Sequence, residues 1–104
     1  MGKSSAASIA SPGTKGQAKS GDPARFRVLM HNDDYTTMEF VVQVLQEVFH
    51  KSATEANQVM LNIHFKGTGI CGLYPFDIAE TKVSRVHVVA REAGFPLRCS
   101  LEGE

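Results

Sequence analysis

The chain has 104 residues, 42% of them hydrophobic and none of them Trp, which leaves room for one domain around a modest core. Eleven Lys and Arg balance eleven Asp and Glu, so the charge gives no basis for binding a nucleic-acid backbone or an anionic membrane surface. Cys71 and Cys99 form no CxxC pair and cannot alone build a four-ligand zinc site; both sit among apolar residues and read as reduced, buried thiols.

Residues 1–24, MGKSSAASIASPGTKGQAKSGDPA, hold only Met1 and Ile9 as large apolar side chains, with Lys3, Lys15 and Lys19 set against Asp22. Such a segment cannot bury enough surface to offset its ordering entropy, and it reads as a disordered extension. Residues 25–104 form the expected folded domain. The N-terminus lacks the apolar core of a signal peptide, no run reaches transmembrane length, and Ala6 stands where a myristoylation sequence needs Ser or Thr. A cytoplasmic location is therefore expected.

RFRVLM, from Arg25, has a strand's alternation, with Phe26, Val28 and Met30 against Arg27 and Leu29. HNDDYT breaks it. Thr36 and Glu39 then have capping-box spacing, and Met38, Val41, Val42, Leu45, Val48 and Phe49 follow a helical period. Ser52 with Glu55 opens a second helix, whose inward stripe is Ala56, Val59, Met60, Ile63 and, one step further, His64; Gly67 suits its end. GICGLY reads as a short strand, and Pro75 suits the first turn of a third helix. That helix turns Ala79, Val83, Val86, Ala90 and Ala93 inward and ends at Gly94. FPLRCSLE closes the chain as a strand with Leu97, Cys99 and Leu101 on one face. The order is β-α-α-β-α-β.

The chemistry concentrates in His31–Asp34. Asp33, Asp34 and His64 could ligate a metal, but consecutive aspartates point different ways and the spacing matches no EF-hand or zincin pattern. Cys71 or Cys99, paired with His64 or His87, could act as a nucleophile, but neither lies at a helix N-terminus or in a positive cluster, and no oxyanion-type turn accompanies them. Nothing brings a substrate to both aspartates for acid–base work. Neither a cofactor nor an enzymatic activity is expected. Helix capping accounts for one polar residue, not four in a row. Recognition of a cation accounts for the surplus: a carboxylate, a side-chain amide oxygen and a neutral imidazole are all acceptors. If the second helix lies beside the loop, His64 faces Asn32 and Asp34, and Thr36, Met38, Val41 and Ile63 stand around them.

VLMHNDDYTTMEFVVQVLQEVF, MLNIHFKGTGICGLYPFDIAETK and PLRCSLE together closely resemble the ClpS family, adaptors that bring N-end-rule substrates to the Clp protease. The resemblance runs from about Arg25 to the C-terminus. It implies an α/β (α+β) fold with three helices on a three-stranded antiparallel sheet. It also implies a pocket for a protein's free α-amino group and bulky first side chain (Phe, Leu, Tyr or Trp). Asn32, Asp34 and His64 would bind the amine; Thr36, Met38, Val41, Ile63 and Leu97 would line the side-chain pocket, with Met38 limiting β-branched residues. Asp77 and Lys82 would meet the N-terminal domain of the ClpA unfoldase, which the extension would also engage. Partners are thus ClpA and N-degron proteins, with no nucleic acid or membrane, and a monomer is expected. Thr37, His31 and Pro75 depart from the family's usual Pro, apolar residue and Thr. The rival resemblance, the C-terminal domain of the ribosomal stalk protein, has a similar fold but lacks the NDD loop.

Overall fold

The structure is a computed structural model and describes residues 24–104; the expectation of a disordered extension falls, but for Ala24, outside the described residues. The elements are β1 (Arg25–His31), α1 (Met38–Glu47), α2 (Ala53–Lys66), β2 (Thr68–Pro75), α3 (Phe76–Glu92) and β3 (Arg98–Gly103). The strand order is β2-β1-β3, antiparallel throughout. This is the expected fold class and element order.

Alternation along β1 turns Val28 and Met30 into the core, where they meet Val41, Val44 and Leu45 of α1, Ala56, Met60 and Ile63 of α2, Ala79, Val86 and Ala90 of α3, and Leu97 and Cys99. The other face of the sheet carries Arg27, Leu29 and His31, paired with Glu102, Ser100 and Arg98. The glycines of β2 have packing reasons to be there. A Cβ on Gly69 would stand 2.8 Å from Ile63 Cγ1, so its absence lets α2 lie close on the strand. Gly72 adjoins a bulge opposite Val28 and Leu29 and sits under the Tyr74 ring.

Several boundaries differ from the sequence reading. Thr37, not Thr36, caps α1: its backbone is extended (φ −74°, ψ 152°) and its hydroxyl accepts the Phe40 N–H at 3.2 Å. Thr36 is unavailable because its own hydroxyl donates to Asp33. The Ser52–Glu55 capping box forms in both directions, and Gly67 closes α2 in the left-handed conformation (φ 92°). Pro75 is one residue earlier than expected, at the N-cap of α3, and ends an eight-residue β2. Ala93 is exposed just past α3, and the chain turns at Gly94 (φ 84°). His64 lies at the exposed rim of α2 rather than in its buried stripe.

Candidate functional site

One end of the sheet gathers the loop after β1, the last turn of α2 and the approach to β3. The Asn32 N–H donates to Gly67 O at 2.9 Å, which fastens the loop to the end of α2, one turn beyond His64. His31 pairs with Arg98, which brings Leu97 to the same end. The loop folds around Asp33. Its Oδ1 accepts the N–H groups of Tyr35 (2.8 Å) and Thr36 (2.7 Å), and its Oδ2 accepts the Thr36 hydroxyl (2.7 Å). Partial burial acts to raise the Asp33 pKa. The bonds from Thr36 and Tyr35, helped by the charge of Arg91, outweigh it and hold the carboxyl below its usual range.

Asn32, Asp34 and His64 differ from Asp33 in that their side chains are exposed and make no hydrogen bond among the described residues. The His64 ring rests edge-on against Phe65, with centroids 4.8 Å apart. The structure thus brings the three expected amine acceptors to one end of the domain and leaves their polar atoms free. His31 is turned away: its Nε2 lies 2.7 Å from Ser100 Oγ, on the face of the sheet opposite the helices. Partial burial, then the charge of Arg98, lowers its pKa.

Of the apolar residues, Val41, Ile63 and Leu97 are buried in the core, 6%, 2% and 1% exposed, while Met38 at the start of α1 is 42% exposed and Thr36 is half-buried. Open space lies on the α1–α2 side of Met38, in a groove of about 550 Å³ lined by Met38, Glu39, Val42, Gln43, Gln46, Asn57 and Met60. The groove shares only Met38 with the expected pocket. The helical periods of the sequence place Met60 and Val42 in the core alone. The four-residue step from Met38 to Val42 was the signal that both face one groove.

Asp77 and Lys82 lie at the other end. Arg25 pairs with Pro75, so α3 starts about 20 Å from the His31 end, at roughly 3.4 Å per strand residue. Asp77 is exposed between Phe76 and Ile78, themselves 49% and 46% exposed. Lys82 is half-buried: its Nζ donates to Val48 O at 2.7 Å and lies 5.8 Å and 5.3 Å from the Phe49 and Tyr74 ring centroids. The lysine therefore closes the C-terminus of α1, a contact that no residue pattern announces.

His87 Nε2 accepts the Cys99 N–H at 3.0 Å. Cys71 and Cys99 are free and buried, and the hydrogen bond with Cys99, together with burial, pushes the Cys71 thiol far up. Among the described residues no three His, Cys, Asp or Glu side chains are grouped as metal ligands, and no helix is long and apolar enough to cross a membrane.

The fold is a small α+β domain, with exposed acceptors at one end and buried thiols in its core. Comparison with known proteins specifies it further. Residues 21–100 match the family model "ATP-dependent Clp protease adaptor protein ClpS". The ATP-dependent Clp protease adapter protein ClpS of Desulfatibacillum aliphaticivorans is 55% identical over 91 residues, 88% of each chain. That of Oleidesulfovibrio alaskensis is 59% identical over 81 residues, 78% of each. A solved structure of Agrobacterium tumefaciens ClpS2 bound to L-phenylalaninamide superposes with a TM-score of 0.77 at 40% identity, covering 80% of this chain and all of that one. The chain belongs to the ClpS family of Clp protease adaptors.

Proposed function

We propose that this adaptor captures proteins through a free α-amino group and a bulky hydrophobic first side chain (Phe, Leu, Tyr or Trp), and delivers them to the ClpA unfoldase in the cytoplasm. The observation that carries the reading is the contrast within the NDD loop. Asp33 is saturated and holds the loop's shape, while Asn32 and Asp34 beside it, and His64 across from them, keep acceptors free. At neutral pH an α-amino group, with a pKa of about 7.7–8.0, is mostly a cation with three donors, which the Asp34 carboxylate, the Asn32 amide oxygen and an imidazole nitrogen of His64 complement. An acetylated or internal residue leaves those acceptors unpaired, at a cost of about 1–3 kcal/mol each. The phenylalanine amide held by the Agrobacterium relative offers the same two features, an amine and an aromatic side chain.

The first side chain enters beside Met38, with Val41, Ile63 and Leu97 as floor and Thr36 at the edge. Burying a Phe or Leu adds about 1.5–3 kcal/mol, and two or three charge-assisted bonds add about 1.5–3 kcal/mol each. After association and ordering costs, micromolar affinity, about −8 kcal/mol, follows, which suits an adaptor that must release its cargo. Asp77, with Phe76 and Ile78 exposed around it, offers the unfoldase a surface at the far end, and Lys82 borders it.

Peptides beginning with Phe, Leu, Tyr or Trp are expected to bind with micromolar affinity, and their acetylated twins at least 100-fold more weakly. Fluorescence anisotropy measures both. Equal binding of the two forms overturns the amine-rim reading.

A further inference from the structure

β3 is an edge strand, and what lies along its outer side bears on the pocket. The Glu104 N–H bonds to Arg25 O, so even-numbered residues of this segment turn their main-chain groups toward β1. By the two-residue period, Leu97 O and the Cys99 N–H point outward, where the sheet offers no partner. Two side chains one turn apart on α3 take those groups. Arg91 Nη1 donates to Leu97 O at 2.8 Å and to Phe95 O at 3.0 Å, and His87 Nε2 accepts the Cys99 N–H at 3.0 Å. The segment from Phe95 to Cys99 is thus held by α3 on both sides of Leu97.

We propose that Arg91 and His87 are positioning residues for side-chain selection: they clamp the approach to β3 so that Leu97 stands as a fixed wall of the cargo pocket. The inference rests on the reading of Leu97 as pocket floor. Leu97 precedes the strand proper and has no ladder bond of its own within β3. Without the clamp the main chain around Leu97 is held by the Phe95 N–H on Ala90 O at 2.9 Å and by the strand pairing from Arg98 onward, with no side chain bonding Leu97 itself. Arg91 also lies close enough to Asp33 for its charge to act weakly on that carboxylate, whose shape-holding bonds come from Thr36 and Tyr35 and do not involve the guanidinium.

The His87 contact is conditional. Nε2 accepts only while it is unprotonated. The charged groups facing the ring are Arg91 on its own helix and Arg98 at the start of β3, while β1 and β2 turn Val28, Met30 and Cys71 toward the helices. Burial first, then Arg91, keeps the ring below the ordinary histidine range. At pH 7 the clamp is closed; acid opens the Cys99 half of it.

The test uses the full chain, peptides starting with Phe, Leu, Tyr or Trp, and their acetylated forms. Arg91→Met is expected to weaken the free Phe peptide about 5- to 10-fold and to flatten the ranking among first residues, while the ratio of free to acetylated binding stays as in the parent. His87→Leu gives about a threefold loss, and His87→Gln, which keeps an acceptor, restores binding at pH 7.5. In the parent the Cys99 amide resonance moves as pH falls below about 6.5, and in His87→Gln it does not. Parent affinity and ranking in Arg91→Met, or a Cys99 amide that ignores pH, overturns the inference. Should Arg91→Met fail to fold, Arg91→Lys decides: its point charge cannot span both carbonyls, so a two- to threefold loss is expected, and an unchanged ranking overturns the proposal. If the parent itself binds free and acetylated peptides alike, the amine-rim reading falls, while the Cys99 titration still reports the clamp.

Discussion

The two ends of β1 are built on opposite principles. At the His31 end, one carboxylate, Asp33, satisfies three donors so that its neighbours need satisfy none. At the Arg25 end the polar groups are spent locally: Asp77 Oδ1 accepts the Ile78 N–H, and the Lys82 ammonium is tied to Val48 O. The first end is pre-organised and hungry for donors; the second offers exposed Phe76 and Ile78 around one acid. A rim that keeps free acceptors suits a small cation, whereas apolar side chains around a charge suit a protein surface. Under the proposed function, the distance between the two ends lets cargo and unfoldase occupy the adaptor together.

Removing one side chain at a time from the NDD loop tests this contrast most sharply. Asp34→Ala is expected to lose about 10- to 100-fold in affinity for a Phe-starting peptide, the value of one charge-assisted hydrogen bond, with the melting temperature unchanged. Asp33→Ala is expected to do the reverse first, lowering stability by about 0.5–2 kcal/mol as a lost cap does, and to weaken binding only through the loop. Calorimetric melting and anisotropy on the same samples separate the two. Equal melting temperatures for both variants would remove the distinction between shape and recognition.

The far end separates in the same way, with smaller effects. Lys82→Met is expected to destabilise the fold by about 1–2 kcal/mol, since the α1 C-terminus loses a charge-assisted bond and a dipole partner. Asp77→Lys, which exchanges a first-turn acid and its bond to the Ile78 N–H for a positive charge, is expected to cost about 0.3–1 kcal/mol of stability, to leave peptide affinity alone and to slow cargo degradation by the reconstituted protease. A Lys82→Met variant of full stability would mean that this lysine is free for the partner. Smaller again is Met38→Ala at the near end. Opening the exposed Met38 flank of the groove should raise binding of Val- and Ile-starting peptides a few-fold relative to Phe, and an unchanged ranking in the peptide array would take Met38 out of selection.

Much of this contrast could be read from the residues, because it depends on acceptor chemistry and helical spacing. Asn32 and Asp34 stand out as acceptors in excess of a cap and His64 as the edge of the α2 stripe, and all three side chains are exposed without a hydrogen bond among the described residues. Local competition was harder to read. Thr36 and Thr37 both have the composition of a cap, and the choice turns on Asp33 claiming the Thr36 hydroxyl, a three-residue contact that spacing alone does not rank above the Thr36–Glu39 pair. The contacts of Lys82, Arg91 and His87 were illegible for a different reason. Their partners are main-chain atoms of Val48, Phe95, Leu97 and Cys99, and a carbonyl or an N–H leaves no mark in the sequence. The resemblance therefore places Lys82, beside IAET, on the surface, and nothing in the sequence singles out Arg91.

The smallest predicted effect bears on the same pair of aspartates through pH. The hydrogen bonds from Thr36 and Tyr35 lower the folded-state pKa of Asp33 below its unfolded value, against the opposing pull of partial burial. A depressed carboxyl contributes stability that is fully present above the unfolded pKa of about 3.9 and is lost as pH falls through the folded value. Asp33→Asn should therefore be less stable than the parent at pH 7, with a gap that narrows below about pH 4 as the parent's own carboxylate protonates. Asp34→Asn, which alters a side chain that holds no main-chain group, is the reference. Thermal melts of the three proteins between pH 7 and pH 3 read the difference directly. A gap between parent and Asp33→Asn that stays constant across the range would show that the loop's shape depends on the side chain's size rather than on its charge.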